Sequence, residues 1–391
     1  MTSLADALFR PRAVALVGAS GDAAKNTARP QRFLLKHGFM GRVVPINKSR
    51  NEVLGAAAWP DLAAATGPID HAFVMVPTQA VSKVIADCGR AGVMVATIYS
   101  DGFADVGSDG LARQHDLVAL ARDLGVRLLG PNSMGVIDTH AGATITVNAA
   151  VEADTLNKGA IGVISQSGTV LGTLLSRGQA RGIGFSKLVS VGNEADLGVG
   201  EIVDMMVDDL ETRTILLFLE TIRDPESLAV ASRRAFAAGI PVIAYKLGRS
   251  NVGRELAVSH SGAISGPDEA ATAYFRHHGI LRVDMLETLL ELPALVEGRQ
   301  PPSGRRVAVV TTTGGGAAMV ADNLGRRGVE LVPAPAKVAG DLAPLGIDVE
   351  NSQLIDLTMA GARKEVYGAV LQSLLDDPSC DAVVAVVGSS A

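Results

Sequence analysis

The segment AVSHSGAISG, residues 257–266, holds His260 among small residues rather than on an apolar helix face. Ser259, Ser261 and Gly262 leave its imidazole unobstructed. A neutral imidazole is nucleophilic near pH 7 and forms a labile phosphoramidate when it accepts a phosphoryl group. Its second nitrogen then needs an acceptor that orients the ring. Glu220, at the end of the strand pattern Thr214–Leu219, is a fitting carboxylate. The phosphoryl oxygens need donors in turn. Ser165-Gln166-Ser167-Gly168 opens a helix pattern, so it offers hydroxyls, backbone N–H groups and the positive end of a helix dipole. The competing reading is an exposed loop histidine with no chemistry.

A second group of residues suits a phosphate-bearing ligand. In VALVGASGDAAKN, Gly18 lets the chain leave a strand sharply and approach a ligand without a Cβ, and Ser20 follows it. A helix N-terminus after this loop would add N–H donors. The G-A-S-G spacing is not the dinucleotide G-x-G-x-x-G, and the second strand ends in Asn47-Lys48 without a ribose-binding acid. Both features disfavour a nicotinamide cofactor. YSDGFAD (99–105), with Ser100 and Gly102, and GPNSMG (130–135), with Asn132, follow later strands. Small polar residues at strand C-termini line the crevice where open α/β sheets bind ligands, and Asn132 could bond a thiol-bearing arm or an acyl carbonyl. Plain loop capping by Ser, Asp and Asn is the alternative.

The elements that must position these residues alternate in β-α-β rhythm. Strand patterns at Ala13–Val17, Val43–Ile46, His71–Val76, Val93–Tyr99 and Arg127–Leu129 flank helix patterns at Thr78–Ala91 and Leu111–Leu124. Ala160–Ile164, Ser186–Ser190, Thr214–Leu219 and Pro241–Tyr245 form a second set, closed by a helix over Leu286–Val296. The Gly- and Pro-rich GRQPPSGRR (298–306) marks a boundary. A third set follows: strand Val307–Thr311, a glycine-rich turn, helix Ala317–Arg327 and strand Asp381–Val387. The expectation is an α/β protein with domains at 1–150, 151–300 and 301–391.

Composition narrows the function. The chain has 391 residues, 48% hydrophobic and 4% aromatic, with 43 glycines, which suits packed α/β layers. A net charge of −6 without a basic run argues against nucleic acid as the main partner. No apolar run is long enough to span a membrane, and the N-terminus lacks a signal core. Two distant cysteines, Cys88 and Cys380, lack metal-ligand spacing and favour a reducing, cytoplasmic setting. No metal site is expected. The chain stops at DAVVAVVGSSA, a strand pattern followed by a turn, so the polypeptide or a tight partner is expected to continue beyond Ala391.

The ordered set VALVGAS, P-x-N (45–47), SDGFAD, GPNSMG, SQSG, VGNEAD (191–196), LETIRD (219–224), YKLGRS (245–250) and SHSGAISG (259–266) resembles the acyl-CoA synthetases that form a nucleoside diphosphate, relatives of succinyl-CoA synthetase. TTTGGGAAM (311–319) and Asp356-Leu357-Thr358 fit the same resemblance. It implies a Rossmann-like CoA-binding domain followed by two flavodoxin-like CoA-ligase domains, the last one incomplete. It implies an acid–CoA ligase in which a carboxylic acid becomes an acyl phosphate that CoA attacks, with the phosphoryl group carried by a histidine. By motif match His260 is that histidine and Glu220 its orienting acid. Ser165, Gln166, Ser167 and Gly168 hold the phosphoryl group, and Gly18, Ser20, Ser100, Gly102 and Asn132 face CoA. Relatives often read N-P-K after the second strand. Here Lys48 stands one place early, which puts its contact with CoA in doubt. ATP and Mg²⁺ would enter through an ATP-grasp domain or β subunit outside these residues, and a dimer or higher oligomer is implied. The alternative is a ligase-like module that senses CoA or acyl-CoA; retention of both His260 and Glu220 argues against it.

Overall fold

The computed structural model describes residues 2–250, 252–253, 268–299, 302–349, 352–358, 361 and 363–388. The chain divides into two compact units, Met1–Arg299 and Gln300–Ala391.

The first unit opens with helix α1 (Leu4–Phe9), started by a capping box in which Ser3 and Asp6 satisfy each other's backbone N–H groups. Strands β1 (Ala13–Val17) and β2 (Arg42–Ile46) are followed by a small antiparallel pair, β3 (Glu52–Val53) and β4 (Ala56–Ala57). Then come β5 (His71–Val74), β6 (Val95–Ile98) and β7 (Arg127–Leu129). The five longer strands form one parallel sheet in the order β2-β1-β5-β6-β7. Every residue of β1, β5 and β6 is buried, as expected for parallel strands covered on both faces. Helices α2 (Arg29–Lys36), α3 (Thr78–Arg90) and α4 (Ser108–Asp123) connect the strands. The chain order reverses at β1, so a crevice opens between the carboxyl ends of β1 and β5.

The second sheet starts earlier than the sequence suggests. β8 (Gly135–Asp138) and β9 (Ala143–Thr146) form a hairpin whose first strand pairs antiparallel with β11 (Phe185–Ser190). With β10 (Lys158–Ser165), β12 (Thr214–Leu219), β13 (Val242–Lys246) and β14 (Leu281–Val283), the order is β14-β13-β12-β10-β11-β8-β9. Sheet hydrogen bonding therefore runs across the boundary expected at 150. The apolar core does too. Ala7, Leu8 and Phe9 of α1, with Val95 and Leu129 of the first sheet, share one cluster with Val136, Ile164, Val189 and Leu217 of the second. Burying each larger side chain there contributes about 1.5–3 kcal/mol, which explains why residues up to 299 form one unit. Helices α5 (Gly168–Ala180), α6 (Val199–Val207), α7 (Pro225–Ala237) and α8 (Asp268–His277) cover this sheet. The single helix expected over Leu286–Val296 is two short ones, Leu286–Glu291 and Pro293–Val296. Pro293 has no N–H to continue the first.

In the second unit β15 (Arg306–Thr311) is central. It pairs in parallel with β16 (Glu330–Leu331), β17 (Ile355–Asp356) and β18 (Ala382–Val386). Helices Gly314–Gly325, Ala336–Leu342 and Lys364–Leu375 flank them. Ala308, Val310, Ile355, Leu357 and Leu374 build the core of this unit. Among the described residues, no helix is long and apolar enough to cross a membrane.

Candidate functional site

The five parallel strands of the first sheet deliver the expected ligand-facing residues to one edge. Gly18 follows β1 with φ of +88°, and a Cβ there would lie 2.8 Å from the Met75 carbonyl oxygen. Only glycine fits that turn. Asn47, at the end of β2, donates from Nδ2 to the Ala19 carbonyl (2.9 Å) and so ties the neighbouring loop to the Gly18 turn. Ser20 Oγ accepts the N–H of Asp22 (3.1 Å). The helix expected directly after this loop is displaced. A single 3₁₀ turn covers Asn26–Ala28, and α2 begins at Arg29 with no side-chain cap. The N–H donors nearest Gly18 are thus those of the loop itself. Lys48 is exposed beyond β2. Arg50, which sequence reasoning passed over, lays its guanidinium against Gly21 and brings a second cation to this edge.

Further along the edge, the Ser100 hydroxyl donates to the Val76 carbonyl. Gly102 has φ of +83° and gives its N–H to Asp105 Oδ2 (2.8 Å). Burial opposes ionisation of Asp105, but the Asn193 amide and the N–H groups of Gly102 and Phe103 outweigh it and hold the carboxyl below its usual value. Asn132 is exposed, adopts φ of +58°, and gives its N–H to the Ser100 carbonyl (2.9 Å). The chain passes from this residue straight into β8, whose first residue, Gly135, is paired with Ser190 at the end of β11. That short path joins the edge of the first sheet to the edge of the second.

At the second edge, Ser165 ends β10 beside Phe218 of β12. Ser167 is the N-cap of α5, its hydroxyl accepting the Val170 N–H (3.4 Å) and lying 3.1 Å from Thr169 Oγ1. Gly168 and Thr169 begin the helix, where backbone N–H groups have no acceptor within it. Ser165 and Gln166 are committed elsewhere. Ser165 Oγ donates to the Ser167 carbonyl (2.6 Å) and accepts the Ser167 N–H (3.1 Å). Gln166 Oε1 accepts the N–H groups of Glu220 (2.6 Å) and Thr221 (3.0 Å), while its Nε2 donates to the Thr221 carbonyl (3.0 Å) and to Glu194 Oε2 (2.7 Å). Of the four residues expected to hold a phosphoryl group, Ser167 and Gly168 form the start of α5, next to Thr169. Ser165 and Gln166 shape the turn. Glu220 directly follows β12 and is buried. His260 lies outside the described residues, as does the rest of the 254–267 segment.

The loop after β11 links the two edges. Gly192 has φ of +56°, and a Cβ on it would sit 2.2 Å from the Pro131 carbonyl oxygen. The next residues donate backbone N–H groups across the gap, Asn193 to Pro131 (2.8 Å) and Ala195 to Gly130 (3.0 Å). Asn193 Nδ2 reaches Asp105 Oδ1 (2.8 Å) and Gln114 Oε1 (3.2 Å). Glu194, itself at φ of +54°, accepts the Val199 N–H at the start of α6 (2.7 Å) through Oε1. Burial pushes its carboxyl up, against the Val199 N–H and the Gln166 amide, which pull the other way. Sequence reasoning matched VGNEAD as a motif and set the acid pocket near the 192–196 loop, without giving Asn193 or Glu194 a task of its own. Polar Asn and Glu side by side in a small-residue loop were the available signal.

Comparisons with known proteins agree with this layout. A family model described as a CoA binding domain matches residues 12–139, and one described as a succinyl-CoA ligase like flavodoxin domain matches residues 158–296. The α subunit of the ADP-forming acetate–CoA ligase II of Pyrococcus furiosus is 32% identical over 385 residues, covering 97% of this chain and 82% of that protein. A trans-feruloyl-CoA synthase from an unknown prokaryotic organism is 30% identical over 389 residues, and this chain spans 54% of its length. Among solved structures, the dinucleotide-forming acetyl-coenzyme A synthetase 1 of Candidatus Korarchaeum cryptofilum, in complex with phosphate and ADP, superposes with a TM-score of 0.87 at 30% identity, covering 99% of this chain and 82% of that one.

Proposed function

The chain belongs to the family of ADP-forming acyl–CoA ligases, and we propose that it is the part of such an enzyme that binds CoA and carries the phosphoryl group on His260. The observation that carries this reading is the convergence of strand ends. The Gly18, Ser100 and Asn132 loops form one edge, the Ser167–Thr169 helix start and Glu220 form the other, and residues 193 and 194 bridge them.

The chemistry follows from what each group can do. A carboxylate is a poor electrophile, so the acid needs a leaving group before a thiol can attack it. Phosphorylated His260 gives its phosphoryl group to a carboxylate oxygen, the P–N bond breaking as the P–O bond forms. The thiol of CoA then attacks the carbonyl carbon and inorganic phosphate leaves. Both steps depend chiefly on positioning and on stabilising charge that spreads over phosphoryl oxygens. The Gly168 and Thr169 amides and the Ser167 hydroxyl supply donors for that charge at the positive end of α5. Glu220 holds the second imidazole nitrogen. The residues at the first edge fit CoA. Gly18 leaves room for close backbone approach, and Lys48 and Arg50 supply cations for phosphates. ATP with Mg²⁺ supplies the phosphoryl group through an ATP-grasp domain or β subunit. The enzyme works as a dimer or larger assembly, in the cytoplasm.

The test is an assay of the enzyme with its nucleotide-binding part supplied, given ATP, Mg²⁺, CoA and either acetate or ferulate. ADP and the matching acyl-CoA should form together, and His260→Ala should abolish both while CoA still binds. Full activity in His260→Ala would refute the assignment.

A further inference from the structure

One side-chain chain runs from the CoA-facing edge to the backbone of Glu220, and it passes through a dipeptide. Asn193 Nδ2 is bonded to Asp105 (2.8 Å), whose carboxylate also fixes the Gly102 N–H (2.8 Å). Asn193 Oδ1 lies 3.5 Å from Nδ2 of Asn132. The next residue, Glu194, holds Gln166 by its Nε2 (2.7 Å), and Gln166 Oε1 receives the N–H groups of Glu220 (2.6 Å) and Thr221 (3.0 Å). Both hydrogen bonds to the Glu194 side chain come from donors, Gln166 Nε2 and the Val199 N–H. A carboxylate accepts both at once; an amide in its place would face one of them with its own NH₂. The Gln166 amide is fully engaged, since its second contact from Nε2 goes to the Thr221 carbonyl (3.0 Å). The backbone that joins the two halves is itself held in conformations rare for other residues, with positive φ at Gly192 and Glu194.

We propose that Asn193 and Glu194 form a clamp of positioning residues. Asn193 fixes the loops that face CoA, and Glu194, acting through Gln166, fixes the strand end from which Glu220 reaches the phosphorylated histidine. This assignment rests on the ligase reading above and adds to it a fixed geometry between the two reacting edges. A displacement of about 1 Å at a reacting group can cost up to about a hundredfold in rate, so a clamp of this kind affects turnover more than ligand affinity.

The experiment incubates the full chain and its variants with acetyl-CoA or feruloyl-CoA, Mg²⁺ and inorganic phosphate, and follows phosphorylation of His260 by mass. Gln166→Met and Glu194→Gln should each slow phosphorylation about tenfold, with the apparent KM for the acyl-CoA changed less than about twofold. In a Glu220→Gln background, Gln166→Met should cause no further loss, because the two act through one element. Hydrogen exchange gives a readout independent of turnover: the Glu220 and Thr221 amides should lose protection in both Gln166→Met and Glu194→Gln. If the wild type is phosphorylated but the losses multiply, or the two amides stay protected, the clamp is overturned and the ligase reading stands. If no phosphoryl group appears on wild-type His260 with either acyl-CoA, even with the nucleotide-binding part supplied, the ligase reading falls and takes the clamp's catalytic role with it.

Discussion

The turns Ser165–Gly168 and Thr311–Gly314 are built to the same plan in the two units. In each, a hydroxyl at the end of a central strand bonds backbone two residues ahead. Ser165 Oγ donates to the Ser167 carbonyl and accepts its N–H, and Thr311 Oγ1 does the same with Thr313 (2.9 and 2.8 Å). In each, the residue between gives its N–H to the neighbouring strand, Gln166 to Phe218 and Thr312 to Val386. The difference lies in the middle residue. Gln166 is long enough to lock the acid-bearing strand end and Glu194, whereas the Thr312 hydroxyl accepts the Gly388 N–H (3.2 Å). The first helix start is capped by Ser167, while Thr313 makes no side-chain cap and is followed by three glycines. A shared local frame thus carries a braced site in one unit and an open, small-residue helix start in the other.

The largest expected effect breaks the braced side directly. Glu220→Gln keeps the shape but removes the charge proposed to orient the imidazole, and it should slow His260 phosphorylation about a hundredfold without lowering the melting temperature. Rapid-quench mass analysis would measure it.

A second contrast concerns acid. Burial pushes the His71 imidazole of the first unit down to about 4, and its Nε2 lies 2.7 Å from Thr97 Oγ1. The folded state therefore keeps it neutral while the unfolded chain protonates it below about 6.5. Stability from this group is complete above that value and is lost as pH falls toward 4, by about 3 kcal/mol in all. The second unit has no histidine. Its most perturbed carboxyl, Asp381, is held well below the usual range by Arg306, so that contribution persists until the pH falls below the ordinary carboxylate value. Hydrogen exchange at pH 7 and pH 5 should show β5 losing protection while β15 keeps it.

Glycine substitutions sharpen the comparison at smaller scale. A Cβ on Gly168 would lie 2.4 Å from Met134 Cγ, whereas one on Gly315 meets nothing within 4 Å. Gly168→Ala should cost about 1–3 kcal/mol, and Gly315→Ala should gain about 0.5–1 kcal/mol, by thermal or urea unfolding. Ser167→Ala should cost about 1 kcal/mol as a lost cap and, smallest of all, Thr313→Ala no more than a few tenths.

Much of this was legible in the sequence where the signal is local. Runs such as Ala13–Val17 and Thr214–Leu219 read as buried parallel strands because Val, Ile and Leu fill them, and the structure places strands there. The Gly18 turn and the Ser167 helix start were legible from residue types that such turns require. The hairpin at 135–146 was not, since four-residue strands containing Gly135 and two threonines carry little periodicity, and their partner, β11, lies some fifty residues away. The real task of Gln166 was hidden for the same reason: its partners, Glu194 and Glu220, become neighbours only when three strand ends meet. The helix over Leu286–Val296 was overextended because its apolar spacing continued through Pro293.

The central claim is that this chain carries a phosphoryl group between CoA chemistry and a nucleotide. The most direct measurement supplies the reverse reactants, acyl-CoA, Mg²⁺ and isotopically labelled inorganic phosphate, and maps the label by peptide mass analysis. The account predicts an acid-labile label on His260, discharged to ATP when ADP and the nucleotide-binding part are added. Label on another residue, or none on His260 while acyl-CoA binds and that part is present, would contradict it.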